Sequence, residues 1–254
     1  MTTPPNAEGL KKRPYLSIVI PAYNEQARLP YTLAEVEAFV CQEQLDCEVI
    51  AVDNGSTDAT SGVVQTAMAR FPSLRLLRTD RRGKGLAVRT GMLAARGSVV
   101  VFADADLSWS VEELVRFPRL VTPETPIVVG SREGRGARRK GEPLYRHVMG
   151  RVFNGVVQRL AVPGIDDSQC GFKAFEARAA RRIFRRQTID GFGFDVEVLF
   201  LARRLGYRVR VVPLTWEHKH NSRVEPVRDT LRMLADVVHV RLNAWRGCYD
   251  DAGE

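Results

Sequence analysis

Val99-Val100-Val101-Phe102-Ala103-Asp104-Ala105-Asp106-Leu107-Ser108 is the stretch whose reading decides the fold. Its first half is a continuous apolar, β-branched run, the pattern of a strand buried on both faces of a parallel sheet. Two carboxylates one residue apart end the run. An uncompensated buried charge is expensive, so the strand must end at them, at the lip of the sheet where ligands of open α/β folds bind. Hard divalent cations take oxygen ligands, and Mg²⁺ accepts one or two carboxylates and completes its shell with phosphate and water. An Asp-X-Asp at a strand end therefore suits a metal–diphosphate complex. The plainer reading is a turn capped by Ser110, since Ser110 and Glu113 form a capping-box pattern ahead of Leu114 and Val115.

Working outward, Leu16-Ser17-Ile18-Val19-Ile20 reads as a strand stopped by Pro21, with Ala22-Tyr23-Asn24-Glu25 as its loop and helical spacing from Leu29 to Phe39. Glu48-Val49-Ile50-Ala51-Val52 is a second strand, running into Asp53-Asn54-Gly55-Ser56-Thr57-Asp58 and a helix through Val63, Val64, Ala67 and Met68. Leu74-Arg75-Leu76-Leu77 is a third, and Gly83-Lys84-Gly85 opens a helix to Ala95. Four strands alternating with crossover helices make a doubly wound, parallel α/β sheet. Tyr23–Glu25, Asp53–Asp58 and Asp104–Asp106 each follow a strand, so all three converge on one carboxyl edge. Solvated loops explain any one of these clusters but not three on one edge.

Further on, Ile127-Val128-Val129-Gly130 is another strand, followed by a basic glycine-rich loop with Arg132, Arg135, Arg138, Arg139 and Lys140. Such a charge run is either a solvated loop or an electropositive gate for a phosphate. Two helices carry apolar stripes among arginines. The first has Leu144, Val148, Val152, Val156 and Leu160, and fits the core or a membrane interface equally. The second has Val227, Leu231, Leu234, Val238, Leu242 and Trp245, and is expected to pack in the core with Arg228, Arg232, His239 and Arg246 as a basic rim.

The 254 residues are 44% hydrophobic and 8% aromatic, enough for a sizeable core, and carry a formal charge of +8. The pI near 9.6 favours anionic partners. The arginines are spread over loops and helix faces without a nucleic-acid motif, which argues against nucleic acid. A nicotinamide dehydrogenase would need Gly-X-Gly-X-X-Gly after the first strand, and a nucleotidyltransferase a glycine-rich N-terminal loop; neither is there. Cys41, Cys47, Cys170 and Cys248 lack CxxC or zinc spacing and read as reduced thiols of a cytosolic protein. Met1 to Arg13 has no apolar core of a signal peptide, and no run reaches the ~18–20 apolar residues of a spanning helix. The expectation is a tail over 1–13, one domain over 14–246 with a donor-binding half to about 130 and an acceptor half from 131, and a tail over 247–254.

These residues resemble the inverting glycosyltransferases of family 2, with the nucleotide-diphospho-sugar transferase (GT-A type) fold. The resemblance is carried by Ser17-Ile18-Val19-Ile20-Pro21-Ala22-Tyr23-Asn24-Glu25, Val52 to Asp58, Arg82-Gly83-Lys84-Gly85 and Asp104 to Ser108. Gly130-Ser131-Arg132, Asp167-Ser168-Gln169-Cys170-Gly171-Phe172-Lys173 and Phe194-Asp195-Val196-Glu197 are most similar to the branch of dolichyl-phosphate β-glucosyltransferases and their polyprenyl-phosphate relatives. Two departures stand out: Asn54 replaces a common second Asp, and the N-terminal membrane helix of the eukaryotic members has no counterpart.

The resemblance implies transfer of a hexose, glucose first, from a nucleotide-diphosphate sugar of the UDP-glucose or GDP-mannose class to a polyprenyl phosphate at the cytoplasmic face of a membrane. The alternative acceptor is a sugar hydroxyl. It implies that Pro21, Ala22, Tyr23, Glu25 and Asp53 cradle the base and ribose, and that Lys84 and Ala105 line the donor. Asp104 and Asp106 would hold Mg²⁺ or Mn²⁺. Arg132, Arg138, Arg139, Gln169 and Lys173 would bind the acceptor phosphate. Asp195 stands where relatives with sugar acceptors keep a general base; donor-hydroxyl binding or a helix N-cap are its other readings. Oligomeric state is not encoded in any of these motifs.

Overall fold

The computed structural model describes residues 13–141, 144–217 and 226–250, and for 144–146, 148 and 226–229 the backbone alone. The expected tail over 1–13 therefore lies almost wholly outside the described residues, as does the start of the second basic stripe.

β1 (Leu16–Ala22), β2 (Cys47–Asp53), β3 (Leu74–Arg78) and β4 (Val99–Ala103) are the four strands read from the apolar runs, joined by α1 (Leu29–Gln42), α2 (Thr60–Met68) and α3 (Lys84–Ala94). All four run parallel, in the order β3-β2-β1-β4. β1 continues through Pro21 to Ala22 rather than stopping at Ile20. Its pairing with β4 ends at Val19, so the N–H that Pro21 lacks leaves no ladder bond open on that side.

Beyond β4 the chain departs from simple alternation. After α4 (Glu113–Leu120) comes β5 (Ile127–Ser131), but β7 (Phe172–Glu176) inserts between β4 and β5, antiparallel to both. β8 (Val209–Pro213) closes the sheet in parallel with β5. Among the described residues the central sheet thus has seven strands, six parallel and one reversed. β6 (Arg138–Lys140) and β9 (Thr215–Glu217) pair as a small separate ribbon. The helices α5 (Leu144–Leu160), α6 (Ala177–Arg186), α7 (Phe194–Arg204) and α8 (Pro226–Trp245) complete the fold. Two apolar cores lie on the two faces of the sheet. One joins Val19, Val52, Phe102 and Phe175 to α3, α5, α6, α7 and α8, and the other joins Ile18, Val49, Val101 and Phe172 to α1, α2 and Phe117 of α4.

Three expectations need correction here. Ser110 does not cap α4: the N-cap is Glu112, and the Ser110 hydroxyl turns instead to the Glu112 carboxylate. Of the α8 stripe expected in the core, Leu234 packs against it, but Leu231, Val238, Leu242 and Trp245 are exposed, and Met233, Val237 and Val240 are the buried positions instead. The opposite face had more to bury: it meets α7 and α5. Residues 247–250 are no tail, since Tyr249 is buried against Phe200 and donates its hydroxyl to Glu197 at 2.7 Å. On α5, Phe153 and Val157 are the core residues, and Val152 and Leu160 are exposed.

Candidate active site

The carboxyl ends of β1, β2 and β4 meet as the parallel order requires. Pro21 and Ala22 are the last residues of β1, paired with Val52 and Asp53. The loops behind them are stitched together: Asn54 N–H donates to Ala22 O at 2.8 Å, Asn24 N–H to Ser56 Oγ at 3.0 Å, and Glu25 N–H to Thr60 Oγ1 at 2.8 Å. Asp53 is buried, with Oδ1 accepting the Ser56 N–H at 2.9 Å and Oδ2 the Ser61 hydroxyl. Against the upward pull of burial, these bonds hold its carboxyl below the usual range. Tyr23 lies under the Arg82 guanidinium, 4.3 Å from the ring centre. Glu25 accepts both prongs of Arg28.

Asn54, where the sequence departs from the family pattern, accepts the Gly83 N–H at 2.7 Å and so fastens the start of α3 to the β2 loop. An amide does this as well as a carboxylate would. Gly85 follows because its α-carbon lies against Ile189 O, only 2.4 Å from where a Cβ would stand.

α3 then delivers Lys84 to the centre. Its ammonium lies 2.7 Å from Asp104 Oδ1. Burial disfavours that charge, but Asp104 and Asp195 outweigh it and hold the lysine above its ordinary value. Asp106 lies one turn further on. Leu107 adopts a left-handed backbone (φ 50°), which turns the chain so that Ser108 N–H reaches Asp106 Oδ1 at 3.0 Å. Burial first, and then the Asp104 charge, push the Asp106 carboxyl upward. Ala105 is fixed from below, its carbonyl accepting Thr32 Oγ1 at 2.7 Å. Gly171 packs directly on Asp104: a Cβ there would sit 2.0 Å from Oδ2.

Asp104 and Asp106 offer hard oxygen atoms to a divalent cation. Among the described residues no group of three His, Cys, Asp or Glu gathers into a metal cage. Two carboxylates suit a cation that takes the rest of its shell from a diphosphate and water, so Asp104 and Asp106 fit Mg²⁺ or Mn²⁺ of that kind.

The expected acceptor residues divide. Arg132 gives Nε and Nη2 to Asp167, each bond 2.8 Å, and Asp167 also accepts the Arg132 N–H at 2.8 Å. Asp167 is fully buried, and Arg132 overcomes that burial to bring its carboxyl down to about 2. This fork is engaged inside the protein rather than open to a phosphate. Arg139 is likewise drawn to Glu133 at 2.6 Å and to Arg132 O. Lys173 is wholly buried in β7, its ammonium 2.5 Å from Asp195 Oδ1 and 2.7 Å from Cys170 O, so it meets Asp195 and not the surface. Gln169 donates to Met233 Sδ at 2.7 Å. Arg138 and Lys140 are exposed on the β6–β9 ribbon. Lys140 lines a cleft of about 570 Å³ together with Arg28, Tyr31, Asp106 and Trp109.

Asp195 is not the N-cap of α7, which is Gly193; it sits in the first turn, buried, between Lys173 and the Lys84 charge. Burial pushes its carboxyl upward against both lysines. Sequence reasoning passed over Asp167 and Glu197 as single residues. Glu197 is buried and accepts Thr188 N–H, Ile189 N–H and the Tyr249 hydroxyl, holding the loop before α7. An acidic residue inside an apolar helical run, as in Val196-Glu197-Val198, was the signal available.

The glycosyl transferase family 2 model matches residues 17–184, more than half of the chain. The chain belongs to glycosyl transferase family 2. Its similarity extends past that span. A dolichyl-phosphate beta-glucosyltransferase of Dictyostelium discoideum is 34% identical over 92% of this chain and 76% of its own length. The mouse enzyme of that name is 34% identical over 91% and 77%, and the one of Saccharomyces cerevisiae 30% over 93% and 77%. Among solved structures, glucosyl-3-phosphoglycerate synthase from Mycobacterium tuberculosis, in complex with Mn²⁺, UDP and phosphoglyceric acid, superposes with a TM-score of 0.65. At 20% identity over 89% of this chain and 78% of that one, it shows the shared GT-A fold. Cys41, Cys47, Cys170 and Cys248 form no disulfide among the described residues, and Cys47 and Cys170 are buried.

Proposed function

We propose that this family 2 enzyme transfers glucose, with inversion, from a nucleoside-diphosphate donor to the phosphate of a polyprenyl or dolichyl lipid. The observation that carries the reading is the match to dolichyl-phosphate beta-glucosyltransferases over about three quarters of their length, with Asp104, Asp106 and Lys84 assembled at the carboxyl edge.

The donor's base and ribose lie against Pro21, Ala22, Tyr23, Glu25 and Asp53. Asp104 and Asp106 would hold a divalent cation, which as a Lewis acid would offset charge growing on the departing nucleoside diphosphate. Mn²⁺ and uridine-diphosphate-glucose occur together in a complex of the structurally similar synthase, which favours UDP-glucose over GDP-mannose as the donor to try first. Lys84 adds a fixed positive charge beside the same carboxylates.

An acceptor phosphate is already an anionic nucleophile, so positioning and charge compensation dominate and no strong base is required. With Arg132 and Arg139 engaged inside the fold, Arg138 and Lys140 are the cations assigned to that phosphate, and Arg132 supports their loop from Asp167. Asp195, fixed by Lys173, faces the donor sugar. The acceptor of this reading is a membrane lipid, and among the described residues no helix is long and apolar enough to cross a membrane.

Thermal shift with Mn²⁺ tests the donor half. UDP-glucose should raise Tm by several degrees in the parent and not in Asp106→Asn. An equal rise in both would remove the metal–diphosphate assignment.

A further inference from the structure

Helix α8 has two apolar faces. Met233, Val237 and Val240 are buried in the core. On the solvent side Leu231, Val238, Leu242 and Trp245 are 63, 50, 38 and 84% exposed, and Ala235 between them is exposed too. Their spacing is 4, 3, 4 and 3 residues, so they form one seam along about 20 Å of helix. Scattered exposed apolar side chains are ordinary, but an aligned seam marks a contact surface.

What borders the seam selects its occupant. Between 231 and 246 the exposed charged side chains are Arg232, Arg241 and Arg246, and none is acidic. Just past the helix, Cys248 and Asp250 line a groove of about 550 Å³ with Arg89 of α3 and Arg178, Arg181, Arg182, Arg185 and Arg186 of α6. Asp250 is taken by Arg204, and Arg186 donates to Tyr249 O and Arg182 O. Arg89, Arg178, Arg181, Arg182 and Arg185 make no ion pair among the described residues. So many guanidinium groups around one groove repel unless anions enter, and guanidinium matches phosphate oxygens. A second copy pairing symmetrically along the seam would bring arginine against arginine.

The core face of α8 also touches the candidate site. Gln169 Nε2 reaches Met233 Sδ at 2.7 Å, and Asp236 packs on Gly193, two residues before Asp195. Whatever binds the outer face of α8 is one helix away from Gln169 and the turn that carries Asp195.

We propose that the α8 seam and the arginine groove dock the enzyme on an anionic phospholipid bilayer. The seam enters the interfacial region, with Trp245 as its anchor, and the arginines take lipid phosphates. This rests on the lipid-acceptor reading above.

Co-sedimentation of the full chain with phosphatidylcholine vesicles, with and without phosphatidylglycerol, tests it. Two variants are compared with the parent: Val238→Glu with Trp245→Glu, and Arg178→Glu with Arg181→Glu and Arg185→Glu. The parent should bind the anionic vesicles at least about tenfold more tightly than neutral ones and lose that preference in high salt. Each variant should lose at least about tenfold, yet transfer glucose to a water-soluble short prenyl phosphate at the parental rate. Parental vesicle binding by both variants, or no anionic preference in the parent, overturns the docking surface. So does a parental dimer in sedimentation velocity that the seam variant alone dissolves while its vesicle binding stays intact. Absence of transfer to the short prenyl phosphate by the parent would strike the acceptor reading instead, with vesicle binding still deciding the surface.

Discussion

Lys84 holds its ammonium 2.7 Å from Asp104 Oδ1, so the candidate metal site carries a cation of its own. Without it, the Asp104 charge and burial would both act against the charged form of Asp106 unopposed by this cation. Lys84→Met should therefore lower stability in EDTA by about 1 kcal/mol, a figure kept small because both side chains are partly exposed. Mn²⁺ should recover more of the melting temperature in the variant than in the parent. Equal metal-induced shifts in the two proteins would show that Lys84 does not balance these carboxylates.

Gly171 admits Asp104 so closely that a methyl group cannot be added without moving the carboxylate. Gly171→Ala should weaken metal-dependent donor binding at least about tenfold, roughly 1.4 kcal/mol, with little loss of fold because Gly171 has no left-handed backbone to strain. Calorimetric titration of UDP-glucose with Mn²⁺ reads this. Parental affinity would mean that Asp104 does not need its present position.

Arg132 and Asp167 form a buried, doubly bonded pair. Removing the guanidinium leaves a buried charge without its ion-pair partner, so Arg132→Ala should cost about 3–5 kcal/mol in urea unfolding. The loss should appear whether or not an acceptor is present. A variant as stable as the parent but unable to transfer would return Arg132 to direct phosphate binding.

The same pair sets an acid dependence. The Asp167 carboxyl lies at about 2 in the folded chain against an ordinary 3.8, so its contribution is present above 3.8 and lost as pH falls from there through 2. That contribution is about 2 kcal/mol. In Arg132→Ala burial is opposed only by the backbone N–H of residue 132 and the Lys173 charge, so the carboxyl lies higher than in the parent and acid relieves the variant. The stability gap between parent and variant should narrow between pH 5 and pH 2.5; a constant gap contradicts the pairing.

Much of the donor half was legible from residues alone. Apolar β-branched runs ending in Asp53 and Asp104 dictated parallel strands, and strand ends on one edge dictated convergence. The acceptor half was less so. Phe172–Glu176 did not read as a strand because Lys173 interrupts its apolar pattern, and only the fold brings Asp195 across to neutralise that lysine. A reversed strand inserted between β4 and β5 leaves no mark in local periodicity. Arginine forks read as phosphate ligands because sequence does not reveal Asp167 and Glu133 waiting for them. The α8 stripe misled for a related reason. Both of its faces are apolar, and the better heptad is the one left outside.

The relation of Lys173 to Asp195 separates the two kinds of acceptor. A sugar hydroxyl must be deprotonated, whereas a phosphate need not be. Asp195→Asn should lower kcat for a polyprenyl phosphate acceptor less than about tenfold, with Lys173 still bonded to Cys170 O. A loss of about 100-fold or more at unchanged stability would assign Asp195 the role of general base.

The most direct test of metal-dependent glucosyl transfer to a lipid phosphate follows the label. The chain is given radiolabelled UDP-glucose, Mn²⁺ and polyprenyl phosphate, and the organic phase is counted before and after mild acid. Label should enter the organic phase and be released by acid, and both EDTA and Asp106→Asn should cut the rate by about 100-fold or more. Label that stays in the aqueous phase, or moves at the parental rate in EDTA and in Asp106→Asn, would contradict the account.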